Sequence, residues 1–166
     1  MPGAPMLVNF SNPDVFLHPG EFYFGSQSRH VGTLLGSCVA VTVWYPNGRL
    51  GGMSHIVLPQ RQRPAGAILD CRYADEAIER FFRELQARQV SPTQCHVKLF
   101  GGGNMFAGGR AANNIDVGRR NIEATRDALA SFGFQVMSES VGGAVRRRLS
   151  LDLHTGSVWM ASPVGQ

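Results

Sequence analysis

The sequence predicts an α/β domain: a layered, largely antiparallel β-sheet or pair of sheets with two main helices on one face. Three observations carry this. Runs of β-branched and aromatic residues bounded by turn residues recur along the chain. Only two segments place apolar residues at helical spacing. The chain holds 20 glycines in 166 residues, and they alternate with apolar runs and keep no three-residue period. That pattern excludes collagen, argues against a flexible linker, and fits a turn-rich sheet.

The elements follow in order. Residues 1–13 read as a loose N-terminal arm. Pro19-Gly20 signals a turn before a short aromatic strand at 21–24. Residues 39–45, Val-Ala-Val-Thr-Val-Trp-Tyr, predict a strand, Pro46-Asn47-Gly48 a turn, and 50–58 the returning strand, with Gly51-Gly52 as a bulge. Asp70 is the expected N-cap of a helix running to Gln89, because Ala74, Ala77, Ile78, Phe81, Phe82 and Leu85 recur on one face. A strand at 95–100 ends in Gly101-Gly102-Gly103. A second helix covers 119–132, with Ile122, Leu129 and Phe132 inward and Gly133 as its stop. Strands are expected at 134–141, 147–153 and 157–161, giving six or so in all.

Composition bounds the class. Hydrophobic residues make up 43% and charged ones 17%, a globular balance rather than a disordered one. The length suits one domain, 1–166, able to fold without a metal or disulfide staple. Three cysteines are too few, and odd in number, for a disulfide scaffold. The first residues lack the basic segment and apolar core of a secretory signal. The long uncharged stretch from Val31 to Gly48 is broken by glycines and Pro46, so no membrane insertion is expected. The expectation is a soluble, cytoplasmic protein. The net charge of +4 rests almost wholly on arginine, since Lys98 is the only lysine. It favours an acidic partner. Nucleic acid is not expected, because aromatic and basic residues are not interleaved as in a stacking platform.

Cys38 and His55 are the pair with chemical promise. In a hairpin centred on Pro46-Asn47 they face each other directly. Centred on Asn47-Gly48, the hairpin pairs His55 with Ala40, and Cys38 lies diagonal on the same face. A three-residue loop or an uncompensated bulge would put them on opposite faces. Proximity matters because a free thiol is mostly protonated at neutral pH, and a neighbouring imidazole can take its proton and later return one to a leaving amine. Gly36-Ser37 would let a substrate approach the sulfur and offer backbone N–H groups to an oxyanion. The same spacing also describes a buried structural cysteine beside an unrelated histidine.

Other motifs carry less. Cys71 and Cys95 have no partner at ligand spacing, so neither a metal nor any other cofactor is expected. Gly101-Gly102-Gly103 follows a strand without a dinucleotide fingerprint or a P-loop lysine. It reads as close backbone packing beside a site, or as a tight turn. Arg146-Arg147-Arg148 could hold an anion or form a solvated face.

The residues resemble a known family. Leu35-Gly36-Ser37-Cys38-Val39-Ala40-Val41, then Gly51-Gly52-Met53-Ser54-His55-Ile56-Val57-Leu58-Pro59, resemble the signature of the chemoreceptor glutamine deamidase CheD. The stretch from Lys98 to Phe106, Gly118-Arg119-Arg120-Asn121, Gly142-Gly143 and Thr155-Gly156 match as well, so the resemblance spans about 16–160. It implies a Cys–His–Thr site that hydrolyses the side-chain amide of glutamines in methyl-accepting chemotaxis receptors, with Cys38 as nucleophile and His55 as general base and acid. Thr33 is the expected third member, with Gly32 at the neighbouring candidate position. Ser140 stands where an acidic residue often precedes the paired glycines, and Arg146 where a small residue is common. Family members can also bind the chemotaxis phosphatase CheC, so a regulatory binding module is the alternative. The implied fold resembles the deamidase domain of cytotoxic necrotizing factor. A receptor's acidic helical surface calls for a basic rim around the thiol, and Ser37, Arg29 and one or two of Arg146, Arg147 and Arg148, Arg147 first, are expected there.

Overall fold

The computed structural model describes residues 13–105 and 116–162; the expectations for an arm at 1–12 and for Phe106 lie outside the described residues. Among the described residues, nine strands form two sheets and two α-helices cover one of them. The strands are β1 (Val15–Leu17), β2 (Phe22–Gly25), β3 (His30–Leu35), β4 (Val39–Tyr45), β5 (Leu50–Ile56), β6 (His96–Gly101), β7 (Val136–Val141), β8 (Arg147–Asp152) and β9 (Val158–Ala161). The helices are α1 (Ala74–Gln86) and α2 (Val117–Ser131). One sheet runs β1-β3-β8-β9 and the other β2-β5-β4-β6-β7. Pairing is antiparallel except for β1 with β3 and β6 with β7.

Alternation along β4 explains the layering. Val39, Val41 and Val43 face the helices and pack with Ala77, Ile78, Phe81 and Leu85 of α1 and Ile122 and Leu129 of α2. Ala40, on the other face of the strand, joins Met53, Phe100, Val31, Leu35, Leu149 and Leu151 between the two sheets. A strand buried on both faces is the middle of a sandwich, which is why it reads as a continuous apolar run.

Several local expectations need correction. Gly51 and Gly52 form no bulge: β5 pairs in unbroken register with β4 and with β2. They are glycines because a Cβ on Gly52 would run into the Tyr23 carbonyl and one on Gly51 into the Val43 carbonyl. Asp70 does not cap α1. Its carboxylate holds the Arg72 guanidinium, while Tyr73 occupies the N-cap without a side-chain bond. Asp116 caps α2, accepting from the Arg119 amide at 3.0 Å, so the helix starts at Val117, two residues ahead of the predicted start. Gly133 ends α2 as expected, at φ 85°. The unpredicted strands β1 and β3 bring the second sheet, and β3 carries Thr33.

Candidate active site

The β4–β5 hairpin sets the geometry. Residues 46–48 form a single 3₁₀ turn, Arg49 takes a left-handed φ of 50°, and Tyr45 pairs with Leu50. The register places His55 opposite Ala40, the second of the two arrangements the spacing allows. Cys38, two residues before Ala40, therefore shares its face. Cys38 and His55 both line a cavity of about 370 Å³ whose walls include Gly36, Ser37, Leu34 and Met105. Two larger hollows, about 740 and 640 Å³, lie against the helices. Neither contains this pair, so chemistry rather than size selects the site.

Thr33 arrives from the other sheet. Its side chain is fully buried and its hydroxyl sits 2.7 Å from Nδ1 of His55 and 2.8 Å from the Leu17 carbonyl oxygen. A hydroxyl has one proton, and a carbonyl can only accept. Thr33 therefore donates to Leu17 and accepts from Nδ1–H, which assigns the imidazole proton to Nδ1 and leaves Nε2 as the basic nitrogen. The backbone of His55 is also held on both sides: Gly20 N–H donates to its carbonyl at 2.8 Å, and its own N–H donates to the Glu21 carbonyl at 3.1 Å. Gly32, the neighbouring candidate, has no side chain to offer.

Glycine backbones and one asparagine hold the Cys38 turn. Gly102 N–H donates to the Cys38 carbonyl at 2.8 Å, and Gly103 N–H to the Gly36 carbonyl at 2.9 Å. Gly101 and Gly102 have φ of 104° and 65°, and a Cβ on Gly101 would meet the Cys38 carbonyl. The glycine run is thus close backbone packing beside the site. Gly118 at the start of α2 lies against Gly102 with no room for a Cβ, which brings Asn121, one turn later, over the turn. Sequence reasoning did not single out Asn121 by itself. Its signal is a polar residue on the buried stripe Gly118, Asn121, Ile122, Thr125, Leu129 of α2.

The electrostatics describe a neutral resting pair. Burial pushes the Cys38 thiol above its ordinary value. Burial also lowers His55 to about 4, with the Leu17 carbonyl pulling the other way and smaller opposed effects from His18 and Glu21. Low polarity disfavours both charged forms. Both shifts favour a neutral thiol beside a neutral imidazole over a thiolate–imidazolium pair. Cys38 is half-buried, whereas Cys71 and Cys95 are buried with thiols pushed up to about 11. Iodoacetamide should label Cys38 first, about tenfold or more ahead of the other two. Peptide mapping over a time course reads this, and equal labelling of all three would remove Cys38 from the chemistry.

Comparison with known proteins places the chain in a family. The family profile described as CheD chemotactic sensory transduction matches residues 57–162. A protein of Dechloromonas aromatica named "Probable chemoreceptor glutamine deamidase CheD 3" is 45% identical over 152 residues, covering 92% of this chain and 89% of its own. The "Probable chemoreceptor glutamine deamidase CheD 2" of Albidiferax ferrireducens is 42% identical over 156 residues, covering 92% and 90%. The chain belongs to the CheD family. Relatives that cover nine-tenths of the chain extend the similarity beyond the profile's span, which begins just after His55.

Within this CheD chain the rim differs from expectation. Ser37 lines the cavity. Arg29 does not: it pairs with Asp152 at 3.3 Å, at the end of β3 opposite the Cys38 turn. Arg147 is buried at 5% exposure, donating to the Gly142 carbonyl at 2.7 Å and to the Ser140 hydroxyl at 3.1 Å. It faces inward because β8 alternates from there, with Leu149 and Leu151 on the same side. Arg146, one residue earlier, is exposed and lines the cavity. The Ser140 hydroxyl accepts from the buried Arg147.

Proposed function

We propose that the protein is a cytoplasmic deamidase converting glutamines of methyl-accepting chemotaxis receptors to glutamate through a Cys38 thioester. The observation that carries this reading is a half-buried thiol and a buried imidazole lining one cavity, the imidazole's Nδ1 anchored by Thr33. The names of the relatives supply the substrate class. Among the described residues no helix is long and apolar enough to cross a membrane, in keeping with action on a receptor's cytoplasmic region.

The steps balance with no further reactant than water. Sγ attacks the carboxamide carbon while its proton passes to Nε2 of His55. The tetrahedral intermediate collapses, the C–N bond breaks, and the imidazolium gives its proton to the departing ammonia. Water then attacks the thioester with Nε2 as base, the C–S bond breaks, and the thiol is restored. Thr33 keeps the imidazole in the tautomer that both halves need. Incubating a receptor cytoplasmic fragment with the protein should release ammonia and produce the mass change of Gln to Glu at specific glutamines. A fragment left unchanged would overturn the reading.

Arg146 supports the receptor as substrate. It sits at the cavity with no hydrogen bond or ion pair among the described residues, open to the acidic helical surface that the family resemblance implies for a receptor. Rim charges act mainly on encounter and are screened within about 8 Å at physiological salt. The kcat/KM for the receptor fragment should fall as salt rises, while hydrolysis of a small neutral glutamine peptide stays level. Arg146→Glu should reproduce the high-salt loss at low salt without slowing Cys38 alkylation. An identical salt response for both substrates would remove the charge-guided docking.

A further inference from the structure

Asn121 and Thr125 are the polar side chains on the buried stripe of α2. Asn121 is fully buried there, so its amide is desolvated and must find its partners inside the protein. Its Nδ2 donates to the Ser37 carbonyl at 3.3 Å and to the Val57 carbonyl at 3.0 Å, while its Oδ1 is buried with no hydrogen-bond partner. The amide's orientation is not ambiguous. Flipping it would aim Oδ1 at two carbonyl oxygens, so the observed arrangement keeps both N–H groups at work and leaves the oxygen unpaired. A buried unpaired oxygen is rare enough in native proteins to require an explanation.

The two carbonyls explain it. One belongs to the peptide that enters the nucleophile, Ser37–Cys38, and the other lies two residues past the base, His55. A trans peptide points its C=O and N–H in opposite directions, and no peptide here is cis. Asn121 draws the Ser37 carbonyl toward α2, on the helix side of the sheet. The Cys38 N–H is thereby turned to the other side, where the thiol and the cavity lie. That N–H makes no hydrogen bond among the described residues, although the Cys38 and Gly36 carbonyls on either side of it are both occupied by glycine N–H groups. Donation to the Ser37 carbonyl also polarises the same peptide and strengthens its N–H as a donor.

We infer that Asn121 is a positioning residue for the deamidation, holding the Ser37–Cys38 peptide so that the Cys38 N–H meets the oxyanion of the tetrahedral intermediate. This rests on the thioester reading and deepens it. The N–H acts on charge that develops only as Sγ attacks the carboxamide, so its alignment matters to turnover more than to binding.

The test compares a ligand that forms an oxyanion with one that does not. A receptor-derived peptide carrying glutamate γ-semialdehyde in place of the target glutamine adds to a thiol and places a negative oxygen where the intermediate's would be. Iodoacetamide alkylates the same sulfur by displacement and makes no oxyanion. In Asn121→Ala, kcat should fall about 10- to 100-fold with KM within about twofold, and inhibition by the semialdehyde peptide should weaken by a similar factor. Alkylation of Cys38 should stay within about twofold of wild type, since the thiol and His55 are untouched. An unchanged kcat, or alkylation falling as far as semialdehyde affinity, would overturn the proposal, the second by marking Asn121 as a packing residue only. If the alanine variant does not fold, Asn121→Ser, whose hydroxyl is too short to reach Ser37, gives the same comparison. A wild-type protein indifferent to the semialdehyde would instead overturn the thioester reading and this inference with it.

Discussion

Cys38→Ala should abolish deamidation of the receptor fragment, with a loss of roughly 10⁴-fold or more, because among the described residues no second thiol lines the cavity to form the thioester. The fold should survive. Cys38 is only half-buried, lies outside the regular strand, and is held through its backbone carbonyl by Gly102 rather than through its sulfur. Its truncation removes one atom from a solvent-connected cavity rather than opening a void in the core. A thermal melt beside the activity assay separates the two effects. Wild-type activity in Cys38→Ala would end the thioester mechanism whatever the melt shows. Cys38→Ser should be nearly as poor, because an alkoxide is far harder to form than a thiolate when the base beside it is an imidazole with its pKa near 4.

The central hairpin was legible because Val39 to Tyr45 is a β-branched and aromatic run and Pro46-Asn47-Gly48 an unmistakable turn. Its register was not, because the observed turn closes with Arg49 at a left-handed φ, and nothing in an arginine announces that. Both centrings keep Cys38 and His55 on one face, which is why the pair could be found without the register. The second sheet was hidden. Strand β1 has three residues, β3 contains Gly32, and both depend on pairing that leads to β8, more than a hundred residues downstream. Long-range pairing of this kind leaves no local signature. The same blindness put Arg147 first among the three arginines expected at the rim. Strand alternation says that two successive arginines point opposite ways, but only the sheet that β8 joins says which one points in. Asn121 came with a matching stretch of sequence, yet its task became visible only when α2 was seen packed, glycine against glycine, over the Cys38 turn.

His55→Gln should lower kcat about 10³-fold or more, since the glutamine side chain can neither take the thiol proton nor return it to ammonia. Thr33→Val, which keeps the shape and loses the acceptor for Nδ1–H, should cost less, about 10- to 100-fold, because the imidazole remains but its tautomer is no longer enforced. The pH dependence distinguishes this base from an ordinary histidine. Activity requires Nε2 unprotonated, and His55 titrates at about 4, so kcat/KM should rise through that region and be level across neutrality. A limb near 6.5 would mean that the imidazole is not desolvated as the structure has it. Stability carries the same signature with a definite sign. In the unfolded chain the residue takes up its proton near 6.5, whereas the folded site resists until about 4. The unfolded state therefore binds more protons between these values, and stability falls as pH drops through that window, by about 3 kcal/mol at most from this group. His55→Gln should flatten that part of the curve while leaving the acid loss due to carboxylates such as Glu76, buried and paired with Arg61 at 2.8 Å, in place. Melting temperatures of wild type and His55→Gln from pH 4 to 7 measure it. Parallel curves would show that His55 is not held neutral by the fold, and the picture of a resting thiol beside a neutral imidazole would fall with them.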